Sequence, residues 1–282
     1  MPDHIRQLKV GALDVHIISE GVIKVHTSQA FEGKDESLWR PHVETDADDR
    51  MDYGLNIVHV KTDTASVLID TGIGEAHPTR TLTEERFPFL ETTGLLNSLD
   101  ALKISCLDIT HVLTTHAHGD HFMGHTVLRG GERVPTYPNA EYFLMEADYN
   151  PKMQDKDSPF ALHFPLLNAS GHLVRLEGSM SITKGIRMIH SPGESPGHAI
   201  VEIESEGETL YTLGDLFHDP LEISHMDWVW QGRDQEKMLQ SRGELVSLAQ
   251  AKDATLLMAH FPFPGMGKLD RVRDQIVWRT IG

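Results

Sequence analysis

The sequence is poor in the features that mark several whole classes of protein. Of its 282 residues only Cys106 is a cysteine, so no internal disulfide can form and a reducing cytoplasm is the expected setting. With Ile104 and Leu107 beside it, that thiol reads as buried and inert rather than nucleophilic. No apolar run approaches the ~20 residues that span a bilayer. The opening residues, Met1-Pro2-Asp3-His4-Ile5-Arg6, lack the basic-then-apolar order of a secretory signal. Positive charge is scarce as well, with 25 Lys and Arg against 42 Asp and Glu and a net charge of −17. Such a surface repels nucleic-acid backbones and anionic membranes, so neither is an expected partner. No repeat, low-complexity stretch or flexible linker divides the chain. One domain over residues 1–282 is expected.

What the chain does have is histidine, 18 in all. They are densest in Thr114-Thr115-His116-Ala117-His118-Gly119-Asp120-His121, just after the apolar stretch 109–113 that reads as a buried strand. Three imidazoles and a carboxylate massed there each need a partner, and a metal ion supplies one. Residues two apart in an extended segment share a face, so His116 and His118 can converge on one ion. Gly119 permits a sharp turn that swings Asp120 and His121 toward a second. Three more polar sites sit just past strand-like stretches: 191–198 (Ser-Pro-Gly-Glu-Ser-Pro-Gly-His), Gly214-Asp215, and His260. Strand ends on one rim can bring such residues into one pocket.

The remaining pattern predicts antiparallel strands over 8–25 broken at Gly11 and Gly21, and further strands at 55–61 and 66–70. Residues 32–52, charged and carrying Pro41, read as a long loop or lid. Residues 81–102 show helical spacing for two helices broken near Pro88 and Gly94. A strand is expected at 141–145. Residues 146–170, with Pro151, Pro159 and Pro165, read as a second loop-rich insertion. Strands at 173–176, 186–190, 199–203 and 209–213 precede the clearest helix, 235–251, and a final buried strand at 255–259. Two batches of strands with helices between them fit an α+β sandwich of two sheets flanked by helices.

In order and spacing these polar residues resemble the metallo-β-lactamase-fold superfamily of hydrolases, whose pattern is His-X-His-X-Asp-His, a distal His, a bridging Asp and a last His. The likeness runs from Asp70-Thr71-Gly72 to His260. It implies an αββα fold with two mixed β-sheets and a binuclear centre. His116, His118 and His198 would hold one metal, Asp120, His121 and His260 the other, and Asp215 would bridge them. Two divalent ions are implied, with zinc the default and iron, manganese or cobalt also suited to imidazole. Many relatives read Pro-Gly-His-Thr-Pro-Gly-His where this chain has Pro192-Gly193-Glu194-Ser195-Pro196-Gly197-His198. The substituted position, Glu194, is not expected to be a ligand.

The chemistry implied is hydrolysis of a small neutral ester, lactone or phosphotriester by a metal-bridging hydroxide. Asp120 would orient the hydroxide and carry its proton, and Asp70 would brace the ligand loop from behind. The His in Asp215-Leu216-Phe217-His218, where lactonases of acyl-homoserine lactones have a Tyr, resembles the methyl parathion hydrolase type. His218 is therefore a candidate partner for the substrate oxygen. Trp228, Trp230, Phe261 and Phe263 are candidates to line an apolar pocket for a small-molecule substrate. Alternatives on the same fold are persulfide dioxygenase-like oxygen chemistry and a glyoxalase II-like thioesterase. Dimerisation of relatives through such insertions makes a homodimer the expectation by analogy.

Overall fold

Strands covered on both faces are built from unbroken apolar runs, because each successive side chain points into a different buried layer. In the computed structural model, which describes residues 2–75, 87–149, 158–273 and 275–281, the central strands are of this kind. In chain order the first strands are β1 (Ile5–Val10), β2 (Leu13–His26), β3 (Arg50–Lys61), β4 (Ser66–Ile69), β5 (Phe89–Glu91), β6 (His111–Leu113), β7 (Thr126–Arg129), β8 (Glu132–Pro135), β9 (Glu141–Met145) and β10 (Leu173–Leu176). The second batch is β11 (Met180–Thr183), β12 (Ile186–His190), β13 (Ala199–Ser205), β14 (Glu208–Thr212), β15 (Thr255–Leu257), β16 (Met266–Val272) and β17 (Gln275–Thr280). The first sheet runs β1-β2-β3-β4-β6-β9-β10, with β5 on β2. The second runs β11 to β17 in sequence, and β7 and β8 form a separate hairpin.

Val58, Val60, Val67, Ile69 and Leu113 of the first sheet meet Met188, Val201, Ile203, Leu210 and Leu257 of the second in a shared core. Their neighbours Ile57, Leu68 and Val112 point the other way, against Leu95, Leu99, Phe160 and Phe164 of two helices, Leu95–Ala101 and Pro159–Ala169. On the far side Ile200, Tyr211 and Leu256 pack against Met238, Leu245 and Ala249 of the helix Gln235–Lys252. Helix, sheet, sheet and helix are thus the four layers, as the sequence pattern predicts. No described helix is long and apolar enough to cross a membrane. Cys106 is half-buried, and burial pushes its thiol up.

Several sequence expectations need correction. Gly21 does not break the second strand. β2 runs through it, and the register shifts between Ser19 and Gly21, a bulge. Residues 32–52 hold a short helix, Glu36–Trp39, and a 3₁₀ turn, Arg40–His42, before β3 begins at Arg50. Phe31 stacks on Trp39 there at 4.6 Å, so apolar packing orders a stretch that looks merely charged. Of the two helices expected over 81–102, the first lies mostly outside the described residues; Phe89–Glu91 is a strand and Leu95–Ala101 a single helix. In 146–170 the prolines mislead: Pro159 begins a helix capped by the Ser158 hydroxyl, and Pro165 sits within it. The strand expected at 255–259 ends at Leu257 and is not the last either, since β16 and β17 extend the second sheet.

Arg242, fully buried in the helix Gln235–Lys252, clamps the loop after β14. Its guanidinium donates to the carbonyls of Leu216, Met226 and Trp228 at 2.8–2.9 Å and pairs with Glu222 at 2.5 Å. Replacing one partner of a buried pair strands the other charge, so Arg242→Met should lower unfolding free energy by about 3–5 kcal/mol, and adding Glu222→Leu should recover part of it. Urea unfolding of the three variants reads this. His59 is a second handle: burial, with His16 beside it, pushes its imidazole down to about 3. Below pH ~6.5 the unfolded chain binds a proton here that the fold refuses. Stability should therefore fall as pH drops toward 3, by up to ~1.4 kcal/mol per unit from this group. His59→Gln should flatten the urea-midpoint slope between pH 6.5 and 5 by about one proton's worth.

Candidate metal centre

β4 and β6 run parallel, and so do β14 and β15, while β12 is antiparallel to β13 and β13 to β14. The segments leaving β4, β6, β12, β14 and β15 therefore emerge in matched directions. They carry Asp70, residues 114–121, residues 191–198, Asp215 and His260 respectively. The structure brings six of the seven expected ligands together in two groups. His116, His118 and Asp215 lie with Glu194, and Asp120, His121 and His260 form the other group, with the donor atoms of each within 4.8 Å of one another.

Asp215 stands between the groups. Its Oδ1 is 3.1 Å from His121 Nε2 and 3.0 Å from His260 Nε2, and its Oδ2 is 3.5 Å from His116 Nε2. Asp120 Oδ2 lies 3.7 Å from His121 Nε2 and 3.5 Å from His260 Nε2. His116 Nε2 and His118 Nδ1 are 2.7 Å apart. His121 Nε2 and Asp215 Oδ1 are buried and make no hydrogen bond, an arrangement that costs free energy unless something cationic lies between them.

Groups behind the ligands aim their lone pairs inward, as cation binding requires. His121 Nδ1 donates to Asp70 Oδ2 at 2.8 Å, and His260 Nδ1 donates to the Gly54 carbonyl at 2.9 Å. Gly54 must be glycine, because a Cβ there would lie 2.4 Å from the Phe261 carbonyl oxygen. Asp70, at φ 61° where β4 ends, also accepts from the Thr115 amide and hydroxyl, both at 2.8 Å. It braces the ligand loop as expected. Asp148, which sequence reasoning missed, ties the two loops: it accepts from the Ala117 amide (2.9 Å), the Ser195 hydroxyl (2.7 Å) and the Gly197 amide (2.6 Å). A lone Asp in a stretch read as irregular carries no signal of that role.

The His198 ring lies beside that of His116, with centroids 5.2 Å apart. Both of its nitrogens are engaged with backbone: Nδ1 donates to the Ser191 carbonyl at 2.9 Å, and Nε2 accepts from the Asp215 amide at 3.1 Å. Glu194, not expected as a ligand, also sits in the cluster, its Oε1 3.3 Å from His118 Nδ1.

Electrostatics follow from burying so much charge. Burial would raise the Asp215 carboxyl, but His260, His121 and His116 hold it well below the usual range. Burial would lower His121, but Asp215, Asp120 and Asp70 reverse this and push it well up. Burial dominates at His116, which is pushed well down with the help of His121 and His118.

A cavity of about 370 Å³ opens on His118, Asp120, Asp215 and His218, with Tyr53, Phe87, Trp230 and Arg233 among its walls. A second groove, about 760 Å³ and lined by Lys24, Arg50 and Tyr53, reaches His218 and His260. Of the four expected aromatic lining residues only Trp230 borders the cavity, stacked on the His218 ring at 4.6 Å. Trp228 packs against Phe31 and His225, Phe261 against Trp278 in the core beneath the second sheet, and Phe263 against the core between the sheets. Tyr53, unanticipated, has a buried hydroxyl without a hydrogen-bond partner. It falls between the stretch read as a loop, 32–52, and the strand expected at 55–61.

Comparison with known proteins agrees with this geometry. An N-acyl homoserine lactonase from Bacillus sp. is 23% identical over 164 residues, 55% of this chain and 60% of that protein. An atrochrysone carboxyl ACP thioesterase from Passalora fulva is 28% identical over 155 residues, 55% of this chain and 35% of that one. The chain thus spans about three fifths or less of these relatives. Among solved structures, AidC, a dizinc quorum-quenching lactonase in complex with a product, superposes with a TM-score of 0.79 at 23% identity over 99% of this chain and 97% of its own. A probable metal-dependent hydrolase from Staphylococcus aureus gives 0.82 at 21% identity over 98% of this chain and all of its own. The sequence pattern of the metallo-beta-lactamase superfamily matches residues 52–260, from within β3 to the last histidine of the cluster, and the chain belongs to that superfamily.

Proposed function

We propose that this chain is a binuclear metal-dependent hydrolase of a small neutral ester or lactone, with phosphotriesters a further substrate class. The observation that carries the reading is the division of the Asp215 carboxylate, one oxygen facing His121 and His260 and the other facing His116. His116, His118 and His198 would hold one divalent cation and Asp120, His121 and His260 the other, with Asp215 shared. Zinc is the metal of AidC, and iron, manganese and cobalt also accept such donors. When bound, such a pair supplies an acidified water and positive charge for the oxygen under attack. We further propose that the 282 residues work as one domain, since strands from both ends of the chain join sheets that share one core.

The remaining steps belong to side chains. The Asp120 side chain, 19% exposed against 5% for Asp215, meets the cavity and is placed to orient the attacking water and take its proton. His218 stacks on Trp230, and its backbone N–H donates to Glu222 Oε2 at 3.1 Å. Its Nε2, 3.3 Å from Asp215 Oδ2, is placed to donate to the oxygen that gains charge. Ile23, Val25, Phe87 and Trp230 give the cavity an apolar flank suited to an acyl or aryl group.

Assays on lactones, aryl esters, thioesters and aryl phosphotriesters, before and after chelation and metal return, test the reading. Chelation should abolish turnover and return of metal should restore it; activity indifferent to chelation would remove the proposal. Asp120→Ala should lower kcat/KM by about 10²–10⁴-fold, and unchanged turnover would remove its role. His218→Phe keeps the stack on Trp230 and should lower kcat by about 10²–10³-fold, the cost of one oxyanion donor, with KM little changed.

A further inference from the structure

Two hollows share Tyr53, His218 and His260 as walls, so one molecule bound over the donors can send an arm into each. Their chemistry differs. The hollow of about 370 Å³ reaches Asp120 and is flanked by Ile23, Val25 and Trp230, side chains of one buried apolar cluster and its fringe. The groove of about 760 Å³ carries charge of both signs, Lys24 and Arg50 against Glu44, Asp46, Asp52 and Asp219. Its wall is pinned before anything binds. Asp46 accepts from the Asp48 and Arg50 amides, both at 3.0 Å, and Lys24 takes Asp46 at 3.4 Å and Asp52 at 2.5 Å. Arg50 is placed differently. Among the described residues it has no ion pair, and its guanidinium donates to the Lys24 carbonyl at 3.4 Å. A guanidinium has five N–H donors, so most are left to water or a guest.

We propose that the groove receives the leaving alcohol of an open-chain ester whose acyl part lies in the smaller hollow, and that this alcohol is polar without negative charge. The inference rests on the hydrolase reading above and narrows its substrate class. Hydrolysis breaks the bond between the acyl carbon and the alcohol oxygen. The oxygen of water joins the acyl carbon, one of its protons goes to the departing alcohol oxygen, and the other goes to solvent as the acid ionises. An open-chain ester thus yields two separate products, one for each hollow. A lactone yields one, its alcohol still tethered to the acyl carbon, and makes no use of a second chamber. The walls decide which arm goes where. An apolar acyl chain gains by leaving water only against apolar walls, whereas a polar alcohol keeps in the groove the hydrogen bonds that the apolar hollow would deny it. Four carboxylates against two cations repel an anionic arm, while Arg50 can donate to hydroxyl, ether or carbonyl oxygens.

A matched series on metal-loaded protein tests this: hexanoyl esters of ethanol, glycerol and glycerol phosphate, and a six-carbon lactone. The glyceryl ester should exceed the ethyl ester and the lactone in kcat/KM by about tenfold or more, the worth of a hydrogen bond to a charged donor. The glycerol phosphate ester should fall below the glyceryl ester by a similar factor. Thr45 is exposed on the groove wall, and Thr45→Trp should bring the glyceryl-to-ethyl ratio toward one by filling the groove. Arg50→Gln should lower the same ratio, chiefly by raising KM for the glyceryl ester. Thermal melts check both variants, and should either fail to fold, the wild-type series alone decides. A glyceryl ester turned over no faster than the ethyl ester, a lactone or phosphate ester turned over best, or a glyceryl preference that survives both substitutions would overturn the groove assignment and leave the hydrolase reading standing. Metal-loaded protein that cleaves no ester or lactone at all would sink both.

Discussion

The carboxylate of Asp215, all but removed from water and divided between two sets of imidazoles, is the constraint around which the rest is arranged. A buried anion survives only with compensating charge and hydrogen bonds. Its compensating charge must come from the surrounding imidazoles or from cations seated among them. That one side chain reaches both groups explains why segments from both sheets end at this point. The segment after β6 brings four donors, and the second sheet returns the carboxylate and the last imidazole from the opposite side.

Around that centre lies a layer of groups that touch no substrate but decide where the donors point. Asp70 holds Thr115 and His121, Asp148 joins the loop of Ala117 to that of Ser195 and Gly197, and Gly54 receives His260. Further out, Arg242 and Glu222 fix the loop that carries His218. Each is a polar contact made in a dry interior, where loss of one partner is expensive. Such contacts hold imidazole rings within the narrow range of orientation that metal binding tolerates.

Substrate choice is set elsewhere. The β2–β3 hairpin lends Ile23, Val25 and Tyr53 to the cavity wall, and the loop before the long helix lends Trp230 and Arg233. Ile23, Val25 and Tyr53 also belong to a buried cluster with Phe31 and Trp39, so packing fixes this wall. The fold hosts many reactions because the donors stay while these walls vary.

Sequence alone determined the two-batch arrangement of strands, the buried runs of β4, β6, β14 and β15, and the cluster at 116–121. All of these are local patterns, in which side-chain alternation and residue type decide the outcome over a few positions. It also reached Asp215 and His260, because each sits immediately after an apolar strand. Only the tertiary structure decided where the members of the 192–198 turn sit. Glu194 and His198 are four residues apart in one loop, and nothing local says that the carboxylate faces His118 while the histidine ring packs beside His116. Tyr53, Asp148 and Arg242 were hidden for the same reason: their partners lie on other elements, and a single residue in an ordinary strand, loop or helix bears no mark of a contact made across the fold.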